Sequence, residues 1–236
     1  MTLLYVLPHA GGSAHAYVPL KKALEPHLEV VCCELPGRGK RAQEAPVSEF
    51  SAAVRSLQSV IAPAAGQPWA LFGHSMGALL GHALVQGRHA AGGTLPCALV
   101  VSGTMAPRQR QRTRIASLPK EEFWSEVQRY GGMPTEILQV PEFRDYFELT
   151  LRHDFAALES APAQPSRPLP VRTLVLYGHD EMTAQDAASW QNETHYPIEV
   201  HGFPGHHFFV LEQAKEVAAL ILQKLAGVAC RSVAQA

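Results

Sequence analysis

A chain of 236 residues that is 47% hydrophobic can bury a full core as one domain, or as one domain carrying an insertion, and this composition excludes disorder. Lys plus Arg number 20 against 21 Asp plus Glu, a net charge of -1, which excludes the basic excess of a general nucleic-acid binder and any acidic solvating tail. Histidine is unusually frequent, at 12, and raises a metal or pH-sensing reading that the rest of the chain must support or dismiss.

In chain order, residues 3–7 form a short apolar run closed by Pro8 and read as a buried strand. Residues 15–28 have mixed helical spacing, 29–35 read as a second strand ended by P-G-R-G, and 48–61 as a helix with Ser48 as N-cap. A third strand over 68–72 precedes a helix over 76–86, and a fourth strand covers 95–102. Strands over 171–177 and 198–202 flank a helix over 184–194, and a helix over 211–225 closes the pattern. Short apolar strands alternating with helices give the α/β class, with a mainly parallel sheet. The alternation fails between Met105 and Pro170, where helical stretches lead into a Pro-rich linker. The expected division is therefore a core of residues 1–104 and 166–228, a helical lid insertion over 105–165, and a disordered tail over 229–236.

Cys32, Cys33, Cys97 and Cys230 form no C-x-x-C pair, and Cys32 and Cys33 would point to opposite faces of a strand. They read as reduced thiols of a cytoplasmic protein. The first residues lack a basic n-region and make a poor signal peptide, and no run of about 18 apolar residues predicts a membrane helix.

The strongest motif is G-H-S-M-G, which fits G-x-S-x-G with Ser75 at its centre, between a predicted strand and a predicted helix. The turn is so tight that side chains at Gly73 or Gly77 would strike neighbouring backbone. The hydroxyl is thereby held at the sheet edge, with the Met76 amide facing a developing oxyanion. A serine needs a base, and in this strand–serine–helix arrangement an acid and then a histidine follow in sequence. Asp180, just past a late strand, is the expected acid, with adjacent Glu181 as the fallback and Asp186 worse placed inside a helix. The histidine falls in H-G-F-P-G-H-H-F-F-V, where residue chemistry leaves His206 and His207 undecided. The P-H-A-G-G-S segment supplies a second oxyanion amide, for which Ala10 is the candidate.

These segments together resemble the type II thioesterases, discrete α/β-hydrolases that serve polyketide and nonribosomal peptide synthases. The resemblance runs from Leu3 to about Leu225. It rests on L-P-H-A-G-G-S, E-L-P-G-R-G-K-R, F-G-H-S-M-G-A, Y-G-G-M-P, L-R-H-D-F and F-P-G-H-H-F-F. The family's histidine directly precedes two aromatics, which implies His207 and makes His206 a replacement for a glycine. The resemblance places the acid on Asp180 and the amides on Ala10 and Met76, and gives His74 in the elbow as a family residue. The family often carries an Arg after the fourth strand, where this chain has V-S-G-T-M-A-P. The implied activity is removal of stalled or aberrant acyl groups from the phosphopantetheine arm of acyl or peptidyl carrier proteins. No cofactor or metal is implied, and neither nucleic acid nor membrane is a partner. A monomer is expected.

Phe123, Tyr130, Met133, Phe147 and Phe208 are the candidates for an acyl or pantetheine pocket, weighed against plain helix packing. Arg108, Arg110, Arg112 and Arg114 form a basic run that reads either as a solvated linker or as a contact for an acidic carrier domain. The same triad would serve a hydrolase or acyltransferase of free esters. A non-catalytic binding protein of this fold would not need it. A metalloenzyme finds no H-E-x-x-H and no clustered ligand set.

Overall fold

The computed structural model describes residues 1–110, 113–131, 140–162 and 167–227. Six parallel strands form one sheet: β1 (Leu3–Leu7), β2 (Glu29–Cys32), β3 (Trp69–His74), β4 (Ala98–Ser102), β5 (Arg172–Gly178) and β6 (Glu199–Phe203). Their spatial order is β2-β1-β3-β4-β5-β6. The central strands read as unbroken apolar runs because both faces of the sheet are covered. Alternation sorts their residues: Leu3, Tyr5 and Leu7 join one core, and Leu4 and Val6 join the other. The first core holds α2 (Phe50–Val60) and α3 (Met76–Ala90) against the sheet; the second holds α1 (Val18–Leu24) and the closing helix.

Several element ends depart from the sequence reading. Pro8 ends β1, so β2 loses its partner soon after the Val6–Cys32 pair and stops well short of residue 35. Helix α2 starts at Phe50 with Glu49 as N-cap, because the Ser48 hydroxyl bonds His153 Nδ1 at 2.5 Å instead of capping. The helix predicted over 184–194 is a single capped turn, α6 (Ala184–Ala187), followed by a 3₁₀ segment. The closing helix breaks at Gln213 into α7 (Phe209–Glu212) and α8 (Ala214–Ala226).

Between β4 and β5 lie α4 (Lys120–Tyr130) and α5 (Pro141–Glu159). Among the described residues from 105 to 170, the isolated bridge of Leu169 with Thr194 is the one strand-like pairing. The Phe50 amide donates to Ser160 Oγ at 2.8 Å, so the insertion is tied to the core helix α2. The expected linker boundary at 165–166 and the tail over 229–236 lie outside the described residues. Cys32 and Cys33 are free thiols, and Cys230 lies outside the described residues. Among the described residues no helix is long and apolar enough to cross a membrane.

Candidate active site

Strand β3 runs into Ser75, which has φ 53 and ψ -116 and is the one non-glycine residue with positive φ among those described. Such backbone costs roughly 1–3 kcal/mol and persists only where the surroundings enforce it. Here they do. The Ser75 amide donates to Ser102 O at 2.7 Å, and α3 begins at the next residue. A Cβ on Gly73 would lie 2.3 Å from Gly77 O, and one on Gly77 would lie 2.2 Å from Leu7 O. The steric reason read from the motif is thus met by specific backbone atoms.

Ser75 lines a cavity of about 640 Å³ together with His207, Met76 and Ala10. His207 is buried, and its ring lies 4.9 Å from that of His74 and 4.9 Å from that of Phe208. His206 points outward, with 79% of its side chain exposed. The adjacent imidazoles are therefore separated by the turn that carries them, and His207 is the one at the cavity.

The acid is where the structure departs from expectation. His207 Nδ1 hydrogen-bonds Glu181 Oε1, not Asp180. Asp180 is half exposed, and its carboxylate lies 3.9 Å from His206 Nε2 on the outer side. The reason is the turn after β5. The Glu181 and Met182 amides both donate to Gly178 O, at 3.2 Å each, while the Asp180 amide donates to Gly205 O at 3.1 Å. That curl sends consecutive side chains in opposite directions. In the sequence the two carboxylates are neighbours and chemically alike; the turn alone separates them.

Two further histidines flank His207. Burial holds His74 well below the usual imidazole pKa and pushes His9 down to about 3. His74 Nδ1 pairs with Ser102 Oγ at 3.0 Å and His9 Nδ1 with the Tyr17 hydroxyl at 2.8 Å. Both stay neutral, so a proton arriving on His207 meets no like charge from them.

Of the pocket candidates, Tyr130, Phe147 and Phe208 line the cavity. Phe123 does not: it is fully buried, packed edge-on against Phe155 at 6.0 Å and under the Arg152 guanidinium at 4.2 Å. Met133 lies outside the described residues. Leu79, Val127, Leu151, Phe155 and Leu158 complete the apolar wall. The aliphatic members were missed because at helical spacing they are indistinguishable from core residues. The described members of the basic run have different surroundings. Arg108 pairs with buried Glu193 at 3.5 Å, Arg110 donates to Leu158 O at 3.1 Å and lines the cavity, Arg114 is exposed, and Arg112 lies outside the described residues. Among the described residues no group of three or more His, Cys, Asp or Glu side chains could hold a metal ion.

The family model for the thioesterase domain matches residues 2–225. The gramicidin S biosynthesis protein GrsT of Aneurinibacillus migulanus is 30% identical over 227 residues, spanning 94% of this chain and 88% of that protein. The structure of BorB, a type II thioesterase from the borrelidin biosynthetic cluster, is similar with a TM-score of 0.82 at 33% identity, covering 95% of this chain and 92% of that one. RedJ, a thioesterase from the prodiginine pathway of Streptomyces coelicolor, gives 0.87 at 25% identity, covering 94% and 85%.

Proposed function

This chain belongs to the thioesterase family, and on that footing we propose that it is a discrete editing enzyme of a polyketide or nonribosomal peptide synthase. It hydrolyses stalled or aberrant acyl groups from the phosphopantetheine arm of acyl or peptidyl carrier proteins. It works as a cytoplasmic monomer without a cofactor of its own, since the pantetheine arrives with the substrate. The observation that carries this reading is the strained Ser75 at a cavity lined also by His207, Ala10 and Met76.

In the proposed mechanism, His207 Nε2 takes the Ser75 proton as Oγ attacks the thioester carbonyl. Glu181 holds the proton on Nδ1 and stabilises the imidazolium, so it is a positioning residue rather than a group that meets substrate. The Ala10 and Met76 amides bind the oxyanion, and the positive end of α3 favours the negative charge. Collapse breaks the C–S bond, and His207 returns its proton to the pantetheine sulfur. His207 then deprotonates water against the acyl-enzyme, and Ser75 is released with its proton restored. The apolar wall built by α4 and α5 suits an acyl chain.

A panel of acyl-carrier thioesters and matched oxygen esters tests this, with wild type and Ser75→Ala. Wild type should prefer the thioesters, and the variant should lose at least about a thousandfold in kcat. Preference for free oxygen esters would favour a small-ester hydrolase. Comparable hydrolysis by the variant would remove Ser75 from the mechanism.

A further inference from the structure

The loop that carries Ala10 has no regular structure of its own, yet an oxyanion donor is useful only if it is held within about half an ångström. The chain holds this loop on both sides of Ala10. On one side, the His9 ring and amide both meet the Tyr17 hydroxyl, at 2.8 and 3.2 Å. On the other, the Gly11 amide donates to Asp154 Oδ2 at 2.6 Å, and Gly12 O accepts from Arg38 Nη1 at 3.1 Å. Arg38 and Asp154 are themselves a two-pronged pair, Nη1 to Oδ2 at 2.7 Å and Nη2 to Oδ1 at 2.5 Å.

Three distant segments meet here. Asp154 belongs to α5 of the insertion, Arg38 to the stretch between β2 and α2, and the loop follows β1. Both charged side chains are buried, at 8% and 1% exposure. Gly11, at φ 74, lies flat on α5: a Cβ there would come 2.5 Å from Leu151 Cδ2, one turn before Asp154. A buried ion pair is weak evidence for stability, because an apolar replacement of similar volume is often as good or better. What an apolar replacement could not supply is the acceptor for the Gly11 amide and the donor to Gly12 O. Gly11 N–H belongs to the peptide that leaves Ala10, so fixing it fixes how the Ala10 backbone faces the cavity.

We propose that Arg38 and Asp154 are positioning residues that hold the Ala10 loop in its oxyanion-binding geometry, so that the insertion forms part of the catalytic frame. This rests on the reading of Ser75 as nucleophile and Ala10 as oxyanion donor. A misplacement of about 1 Å can cost roughly a hundredfold in rate.

The test uses the full chain as Arg38→Met/Asp154→Leu, which leaves no charge stranded, beside Arg38→Lys, which keeps the charge and loses the fork. Active sites are titrated with a fluorophosphonate, and thermal midpoint, kcat, KM and the Ki of octylboronic acid, whose serine adduct places an oxygen in the oxyanion site, are measured. The expected result is a double variant that stays folded, loses about ten- to a hundredfold in kcat with KM within about threefold, and binds the boronate more weakly by the same factor. Arg38→Lys should show the same pattern at smaller size, and it decides the matter if the double variant does not fold. Variants that are folded but keep kcat and boronate Ki within about twofold of wild type overturn the proposal. So does a rate loss without any loss of boronate affinity, which is what a merely structural role would produce. Ser75→Ala runs in the same assay: activity there would sink the mechanism itself, a failure distinct from that of the Arg38–Asp154 pair.

Discussion

Exchanging the charge on one of two adjacent carboxylates separates their roles. Glu181→Gln removes the anion bonded to His207 Nδ1, and Asp180→Asn removes the one that faces solvent. Charges about 4 Å apart in surroundings of effective dielectric near 20 attract by roughly 4 kcal/mol. Glu181 keeps about a quarter of its side chain exposed (23%), so screening trims that figure somewhat. At about 1.36 kcal/mol per decade, the lost imidazolium stabilisation alone gives roughly a hundred- to a thousandfold drop in kcat. A glutamine can also present its amide N–H to the ring and impose the wrong tautomer, which extends the loss toward about ten-thousandfold. Glu181→Asp keeps the charge but withdraws it by one carbon–carbon bond, about 1.5 Å, and should fall between. Asp180→Asn should stay within about threefold of wild type. The assay is release of pantetheine thiol from an acyl thioester, with active sites titrated by a fluorophosphonate. A crippled Asp180→Asn beside a near-normal Glu181→Gln would refute the reasoning and restore Asp180 as the acid.

Other perturbations test the frame around the site. Gly77→Ala puts a methyl 2.2 Å from Leu7 O, a backbone atom in the central sheet; it should destabilise the fold by several kcal/mol, read as a urea midpoint, and a fully stable variant would contradict the elbow geometry. Phe123→Ala should cost about 3–5 kcal/mol of stability and leave acyl-chain preference alone, whereas Phe147→Ala should shift preference toward bulkier acyl groups; a competition assay with mixed acyl thioesters distinguishes them. Acid should unfold the protein through its buried histidines. Burial pushes His9 down to about 3 and His82 to about 4, from an ordinary 6.5. The unfolded chain therefore binds protons that the folded one refuses, so stability is full above pH 6.5 and falls by several kcal/mol as pH drops toward 3. His82→Gln should flatten the urea midpoint curve between pH 6.5 and 4, and an unchanged slope would rule His82 out as a source.

The sheet and the elbow were legible because local pattern specifies them. Unbroken apolar runs such as Leu3–Leu7 announce a strand covered on both faces, and the glycines of G-H-S-M-G answer to clashes only a few residues away. What was not legible depends on three-dimensional curl or on long-range contact. The choice between Asp180 and Glu181 hangs on backbone bonds to Gly178 and Gly205, which no spacing rule encodes. The departure of Phe123 from the pocket reflects which face of α4 meets α5, and Leu151 and Leu158 look like ordinary core until the cavity is seen. The Arg38–Asp154 pair joins residues 116 positions apart. The two residues lie in P-G-R-G and L-R-H-D-F, and no local pattern joins one segment to the other. The histidine excess resolves similarly. His207 sits at the cavity against Glu181, while the partly buried His9 and the buried His74 are neutral neighbours of it.

The most direct measurement mixes wild-type enzyme with an acyl-carrier protein, quenches within the first turnovers and maps acyl mass on the enzyme's peptides. The account predicts a transient acyl group on Ser75 that vanishes as free acid appears and is absent from Ser75→Ala. Steady hydrolysis by Ser75→Ala, or an acyl group carried on any other residue, would contradict it.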